Sequence, residues 1–268
     1  MDLNLKNKVV VVTGGASGIG RSIAKNLISE GATVCILDNN QKAGAGISEE
    51  MKILPGKVFY FLTELTNPDE CMDAVNQIIQ KFEQIDGLVN NAGINDGVGL
   101  ETGNYQKFIE SLDKNVLHYQ TLTELTLPYL KKTGGAIVNI CSKVAETGQG
   151  ETSGYAAANG VRFALTKEWA VSFIPFGIRV NGVVVAECWT PQYDWWISQQ
   201  ENPKEKLAAI NAKIPLANRM TSTEEVAAMV LFLLSEKSSA INGELVHVDG
   251  GYVHLDRAIK AGGGMREA

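Results

Sequence analysis

The chain has 268 residues, 45% hydrophobic and 20% charged, with a formal net charge of −6. That length suits one large α/β domain with a sizeable core. The acidic balance argues against a nucleic-acid partner, which calls for a basic face, yet it leaves room for an anionic ligand held by local dipoles.

The N-terminal MDLNLKNK lacks the basic start, apolar core and small-residue cleavage site of a signal peptide. VVVVT (9–13) is predicted as the first strand, followed by a glycine-rich turn and a helix over GRSIAKNLISEG (20–31). TVCIL (33–37) and VFYFL (58–62) read as the next strands. A helix over PDECMDAVNQIIQKF (68–82) follows, opened by Asp69 after Pro68. GLVN (87–90) is the fourth strand, and helical spacing then runs through 102–131. AIVNI (136–140) leads into a helix over YAAANGVRFALTKEWAVSF (155–173). RVNGVVV (179–185), a helix over TEEVAAMVLFLLS (223–235) begun by Thr223, and ELVHV (244–248) complete the series.

The strands are near-continuously hydrophobic, as in a parallel sheet covered on both faces. The β-α alternation predicts an α/β, single-domain Rossmann fold, a doubly wound parallel sheet of about seven strands. It is expected to occupy 1–257, with 258–268, ending in AGGGMREA, as a flexible tail. No apolar run approaches a membrane span, so a cytoplasmic protein without a membrane partner is expected. Cys35, Cys71, Cys141 and Cys188 are widely spread with no C-x-x-C pair. They read as buried reduced thiols, with no disulfide framework and no metal site.

TGGASGIG (13–20) directly follows the first strand and opens the first helix. Gly14 permits a tight turn, Gly18 lets the backbone approach a pyrophosphate, and Gly20 allows close helix packing. The helix N-terminus offers unpaired N–H groups and a positive dipole to phosphates. Asp38 ends the second strand about 20 residues on. Its carboxylate can accept both adenosine-ribose hydroxyls and repel a 2′-phosphate. The glycine-rich loop holds no Arg or Lys, and Asn39 and Asn40 are neutral, so NAD is expected rather than NADP.

The spacing T-G-x-x-x-G-x-G, with NNAG (90–93) after the fourth strand, resembles the short-chain dehydrogenase/reductase family. The resemblance runs from Thr13 to VDGG at 248–251. It implies cofactor contacts from Ser17 and Ile19 in the turn and from Asn90, Ala92 and Gly93 along the adenosine side. Glu64 and Leu65 stand after the third strand, where the family usually has an Asp for adenine. Glu64 is either a longer acid at the same task or the sign of a shifted loop. Ser142 lies 13 residues before Tyr155, which implies that Ser142 binds the substrate oxygen and Tyr155 moves the proton. Asn115 in DKNV matches the family's helix asparagine, which supports the proton relay.

Asn159 departs from the pattern. Positions i and i+4 share a helix face, so Tyr155 and Asn159 are both expected to point at the cofactor cleft. The family has a lysine there, whose ammonium holds the nicotinamide ribose and whose charge favours the tyrosinate. An asparagine amide can do the first but not the second. A unit charge about 4–6 Å away commonly moves a titration by roughly one to three pH units. The expectation is intact cofactor binding with slow catalysis near neutral pH or an alkaline optimum. Two cations stand nearby. Arg162 starts about 10 Å along the helix axis from Tyr155 and is expected to be a solvated or interface arginine. Lys143 adjoins Ser142 and is expected to turn away.

After the sixth strand, VVVAECWTPQYDWW (183–196) has Val185 and Ala186 where the family usually has Pro-Gly. Thr190 aligns with the family's amide-binding threonine. Glu187 is expected near the cleft, and Trp189, Tyr193, Trp195 and Trp196 crowd one loop. Aromatic faces stack on sugar rings while carboxylates and amides hold hydroxyls, and Glu146 and Gln149 add to that wall. A hydrophobic lid or subunit contact is the other reading of the aromatics. This loop, TGQG (147–150) and GYVHLDR (251–257) look most like the bacterial L-fucose (aldose) dehydrogenase branch, which oxidises an anomeric hydroxyl to a lactone. His254, Asp256 and Arg257 belong either to a neighbouring subunit's site or to a structural tail. The resemblance also implies a homo-tetramer built on the helices at 102–131 and 155–173. Two functions stand. One is an NAD-dependent oxidoreductase acting on a sugar or other secondary alcohol, with Ser142, Tyr155, Gln149, Glu187, Trp189 and Trp195 around the small-molecule substrate. The other, favoured by the missing lysine, is a silent NAD-binding sensor or assembly subunit.

Overall fold

The computed structural model describes residues 1–255; Asp256, Arg257 and the tail expected over 258–268 lie outside them. In chain order the elements are β1 (Val9–Thr13), α1 (Gly18–Ser29), β2 (Thr33–Asp38), α2 (Gln41–Glu50), β3 (Lys57–Leu62), α3 (Pro68–Phe82), β4 (Gly87–Asn90), α4 (Tyr105–Leu112) and α5 (His118–Thr133). They continue with β5 (Ala136–Ser142), α6 (Val144–Thr147), α7 (Ser153–Ser172), β6 (Arg179–Val185), α8 (Pro191–Ser198), α9 (Pro203–Asn211), α10 (Thr223–Leu234) and β7 (Leu245–Val248).

β1 shows why the sheet is covered on both faces. All five of its residues are buried. Val10 and Val12 join a core with Ile23 and Leu27 of α1 and Val226 and Val230 of α10. Val9 and Val11 join a second core with Val75 and Ile78 of α3, Leu122 of α5 and Trp169 of α7. The period-2 alternation of a strand feeds two helical layers. The sheet is wholly parallel, in the order β3-β2-β1-β4-β5-β6-β7. Strand order reverses between β1 and β4, which opens a crevice at their carboxyl ends.

Three local expectations change. The helix expected over 102–131 is split into α4, one π turn (Asp113–Leu117) and α5. Asn104 delays the start by accepting from Lys107 N at 2.9 Å. Asn115 then widens a turn: its Nδ2 donates to the Ser111 carbonyl at 2.9 Å while its Oδ1 accepts from Ile94 N at 2.7 Å, and such side-chain competition loosens the helical ladder. Second, α2 was not apparent in its glycine-rich sequence; Asn40 starts it by accepting from Ala43 N at 3.0 Å. Third, the aromatic loop after β6 contains α8, begun by the Thr190 hydroxyl, which accepts from Tyr193 N at 3.2 Å, with Pro191 in its first turn. All four cysteines are buried and free. Among the described residues no helix is long and apolar enough to cross a membrane.

Candidate active site

The glycine-rich turn and the NNAG segment are fastened together by Thr13 and Asn91. Asn91 N and Ala92 N donate to Thr13 Oγ1 at 2.9 and 3.0 Å, and Asn91 Nδ2 donates to the Thr13 carbonyl at 2.9 Å. Gly18 takes φ +52, left-handed geometry that a glycine adopts without strain. A methyl at Gly20 would overlap the Gly14 carbonyl, so Gly20 serves helix packing and is absent from the cleft wall. Asp38 holds the turn from below: Oδ2 accepts from Ala16 N at 3.0 Å and Oδ1 from Asn40 N at 2.9 Å.

A cleft of about 290 Å³ lies at the carboxyl ends of the strands. Of the expected residues, Gly14, Ser17, Gly18, Ile19 and Asp38 reach it from β1 through β2, and Ala92 and Gly93 from the turn after β4. Ser142 at the end of β5, Tyr155 in α7 and Thr190 before α8 complete that set. The phosphate turn is open: a methyl at Gly18 would meet only Thr190, at 3.5 Å. Backbone N–H groups at the start of α1, a carboxylate and a hydroxyl pair are a donor set that fits a dinucleotide. Asn115 stands one layer behind, its carboxamide bonded to Ile94 N beside Gly93.

Several expected contacts are not on the cleft wall. Asn90 is buried between strands, with Nδ2 donating to Asn139 Oδ1 at 3.0 Å and Thr123 Oγ1 at 3.4 Å. Its side chain therefore ties β4 to β5 and α5. Glu64 accepts from Asn39 Nδ2 at 2.9 Å and from Thr66 Oγ1 at 2.9 Å, which keeps it outside the cleft, and Leu65 packs on the second core. Gln149 is exposed beside α6. Trp189 and Trp195 are 40% and 65% exposed and face outward. Tyr193 is the aromatic of that segment on the cleft wall.

Asn159 does not point into the cleft as its helical spacing suggested. It is fully buried. Its Nδ2 donates to the Tyr155 carbonyl at 2.9 Å and its Oδ1 accepts from Arg162 Nη1 at 3.3 Å, so both ends of the amide are used within α7. Arg162 is neither solvated nor at the surface. At 2% exposure it runs back along α7 and lines the same cleft as Tyr155. Periodicity gave no sign of this, because an arginine at i+7 reads as a surface residue.

Lys143 turns away as expected, with Nζ 2.5 Å from Glu187 Oε1 and 3.9 Å above the Tyr252 ring. Glu187 Oε2 accepts from Tyr193 Oη at 2.8 Å, so Glu187 sits behind Tyr193 and off the wall. Burial raises the Tyr193 phenol above its usual range, and the Glu187 charge adds to that. Cys141 and Cys188 also line the cleft, and burial pushes each thiol up to about 12, so both are neutral. A grouping that the spacing did not disclose joins Glu146, His247 and His254. His247 Nε2 is 2.7 Å from Glu146 Oε1, and its Nδ1 is 3.3 Å from His254 Nε2. The two contacts use opposite nitrogens of one ring, which makes a hydrogen-bonded chain. A larger hollow, about 410 Å³, opens at the amino ends of the strands, where Lys8 pairs with Asp86 at 3.3 Å and Arg179 donates to the Leu233 carbonyl at 2.8 Å.

The sequence profile of a family described as enoyl-(acyl carrier protein) reductase matches residues 14–253. L-fucose dehydrogenase of Bos taurus is 34% identical over 98% of this chain and 95% of its own. The 3-oxoacyl-[acyl-carrier-protein] reductase of Thermotoga maritima is 33% identical over 94% of this chain and its own full length. Among solved structures, the Cj0485 dehydrogenase superposes with a TM-score of 0.93 at 41% identity, covering 97% and 99% of the two chains. The aldohexose dehydrogenase of Thermoplasma acidophilum superposes at 0.85 with 27% identity, covering 96% and 98%. With its glycine-rich turn, its Ser142–Tyr155 pair and its seven-stranded parallel sheet, the chain belongs to the short-chain dehydrogenase/reductase family of oxidoreductases, whose members bind nicotinamide cofactors.

Proposed function

We propose that this oxidoreductase moves a hydride between NAD and a sugar, an L-fucose-like aldose, or another secondary alcohol. The observation that carries the reading is the convergence of Asp38, the phosphate turn, Ser142 and Tyr155 on one cleft. Asp38 presents a carboxylate where an adenosine ribose belongs, the glycine-rich turn carries no Arg or Lys, and Asn39 and Asn40 after Asp38 are neutral. That charge pattern supports NAD over NADP, because a 2′-phosphate would meet the Asp38 carboxylate.

Bound NAD supplies the hydride acceptor at its nicotinamide ring. Tyr155 takes the proton of the reacting carbinol in oxidation and returns it in reduction. Ser142 holds the carbinol oxygen, its hydroxyl kept in place by Val144 N at 3.4 Å. Thr190, on the cleft wall, would hold the cofactor at its nicotinamide end, and Asn115, through its π turn, would support the relay behind Tyr155. Tyr193 closes the substrate side and carries the Glu187–Lys143 pair behind it, a polar rim suited to a polyol rather than an acyl chain. Exposed Trp189 and Trp195 suit a lid or a contact with another subunit.

The partner is a second set of copies of this chain. Ile109 of α4, Leu117 of the π turn, Val161 and Val171 of α7, and Ile174 just beyond α7 are exposed apolar positions, which supports a homo-tetramer on that face. Four buried free thiols suit a cytoplasmic protein.

The test follows NADH and NADPH formation from pH 6 to 10 with L-fucose, L-galactose, D-arabinose and simple secondary alcohols. Turnover of at least one aldose with NAD, at least tenfold better than with NADP, is expected. NAD binding without turnover at any pH supports the silent sensor instead.

A further inference from the structure

Resting on the reading of Tyr155 as proton carrier, we propose that Arg162 is the site's electrostatic positioning residue. It supplies from one helical turn beyond Asn159 the positive charge that α7 lacks at position 159.

The guanidinium is built into the back of the cleft. Nε donates to the Asn115 carbonyl at 2.8 Å, and Nη2 makes a second bond to the same oxygen. Nη1 donates to the Ile140 carbonyl at 3.0 Å and to Asn159 Oδ1 at 3.3 Å, and Nη2 reaches the Ala92 carbonyl at 3.4 Å. The π turn, β5, the turn after β4 and α7 thus each contribute an oxygen. All these partners are uncharged. A buried charge is ordinarily neutralised by a partner; here, among the described residues, the cation is solvated by dipoles and its charge is left to act on the cleft.

The surroundings are shaped for it. A methyl at Gly93 would lie 2.6 Å from Nη2, so the glycine after the Asn-Asn-Ala run makes the space. The Tyr119 ring lies under the guanidinium carbon at 4.4 Å. Asn159 also gains a reason. Its Oδ1 accepts from Arg162, which a lysine in its place could not do, and a second cation there would repel the first. Asparagine at 159 and arginine at 162 act as one unit, so the asparagine is not a lesion.

Other titratable groups facing this end are Tyr119 and His118 of α5, Cys141 of β5, Tyr193 before the second turn of α8, and Asp38 across the cleft. His118 and Cys141 are neutral for want of solvent, and Lys143 and Glu187 compensate each other. Among the described residues, Arg162 is therefore the uncompensated cation lining the cleft that Tyr155 also lines. In a low-dielectric site such a charge favours the phenolate and stabilises negative charge on the reacting oxygen.

The experiment compares the parent with Arg162→Gln, Arg162→Lys, Asn159→Lys and the Asn159→Lys/Arg162→Gln double variant. It reads kcat and kcat/KM against pH, and separately the ultraviolet phenolate titration that disappears in Tyr155→Phe. Arg162→Gln should lose about 10- to 1000-fold in kcat near pH 7, with the profile and the Tyr155 phenolate titration both moving alkaline by about one to three pH units. Arg162→Lys should keep the parent's profile within about half a pH unit. Asn159→Lys alone should bring no gain, and the double variant should recover at least tenfold over Arg162→Gln. A merely structural arginine predicts lower stability with an unmoved pH profile and no rescue in the double variant. Either an unmoved profile or an absent rescue overturns the proposal. If Arg162→Gln does not fold, Arg162→Lys and Asn159→Lys still decide: a shifted profile in the first or a gain in the second overturns the proposal. If the parent turns over no sugar or alcohol, the proposed function fails, while the phenolate titration still decides the role of Arg162.

Discussion

His118 is buried directly beside Arg162, with Nε2 3.2 Å from the Lys114 carbonyl and Nδ1 without a partner. Burial, and next the Arg162 charge, hold its imidazole down from 6.5 to about 3. Between those values the unfolded chain binds a proton that the native chain excludes. Stability therefore rises with pH across that window and is lost as pH falls from 6.5 towards 3. Urea midpoints at pH 4 and pH 7 should differ less in His118→Asn than in the parent. An unchanged difference removes His118 from the acid response. At this scale the sequence was informative about identity and poor about placement. That Ser142, Tyr155 and Asp38 share one cleft could be read from their spacing along elements with strong patterns. Arg162 could not, because its side chain travels back against its own helix, a path that no periodicity encodes. Asn159 was misplaced for the converse reason: a short amide four residues from Tyr155 finds its partners inside α7 before it reaches the cleft.

Elements begin where side chains offer oxygens to orphan N–H groups. α10 begins with a complete capping box. Ser222 Oγ accepts from Glu225 N at 3.2 Å, and Glu225 Oε2 accepts from Ser222 N at 2.8 Å. Arg219 holds the Glu225 carboxylate, which sits down at about 2. Because α10 packs its buried face against α1, its start matters to the nucleotide side of the sheet. Ser222→Ala should cost about 1 kcal/mol in chemical denaturation; a loss below a few tenths would mean that packing alone fixes the helix start. The same rule explains which elements were legible. Thr223 beside Glu224 and Glu225 marked α10, and Pro68 marked α3. The split between α4 and α5 was hidden, since Asn115 acts on Ser111 and Ile94 through its side chain, and a bulged turn keeps an almost helical apolar pattern.

At the scale of the molecule, a doubly wound parallel sheet was legible because seven continuous apolar runs alternate with helices. Assembly was not, since an exposed valine on a helix has the same letter whether water or another copy covers it. Val171 is 68% exposed and Val161 41%, both on the outer side of α7. Val161→Lys with Val171→Lys should shift the mass in sedimentation velocity from tetramer towards dimer or monomer while far-ultraviolet circular dichroism stays unchanged. A parent that sediments as a monomer ends the tetramer proposal.

The fastening of Thr13 to Asn91 joins segments 78 residues apart, and β1 pairs with β4 across the same interval. Contacts this distant in sequence close late, because chain entropy must be surrendered before they form. The nucleotide cleft is therefore a product of the last stages of folding rather than of the helices that line it. In refolding from urea, helical signal should return before the protein quenches or enhances NADH fluorescence, with the lag lengthened by Thr13→Ala. Simultaneous recovery of both signals would place the β1–β4 pairing early instead.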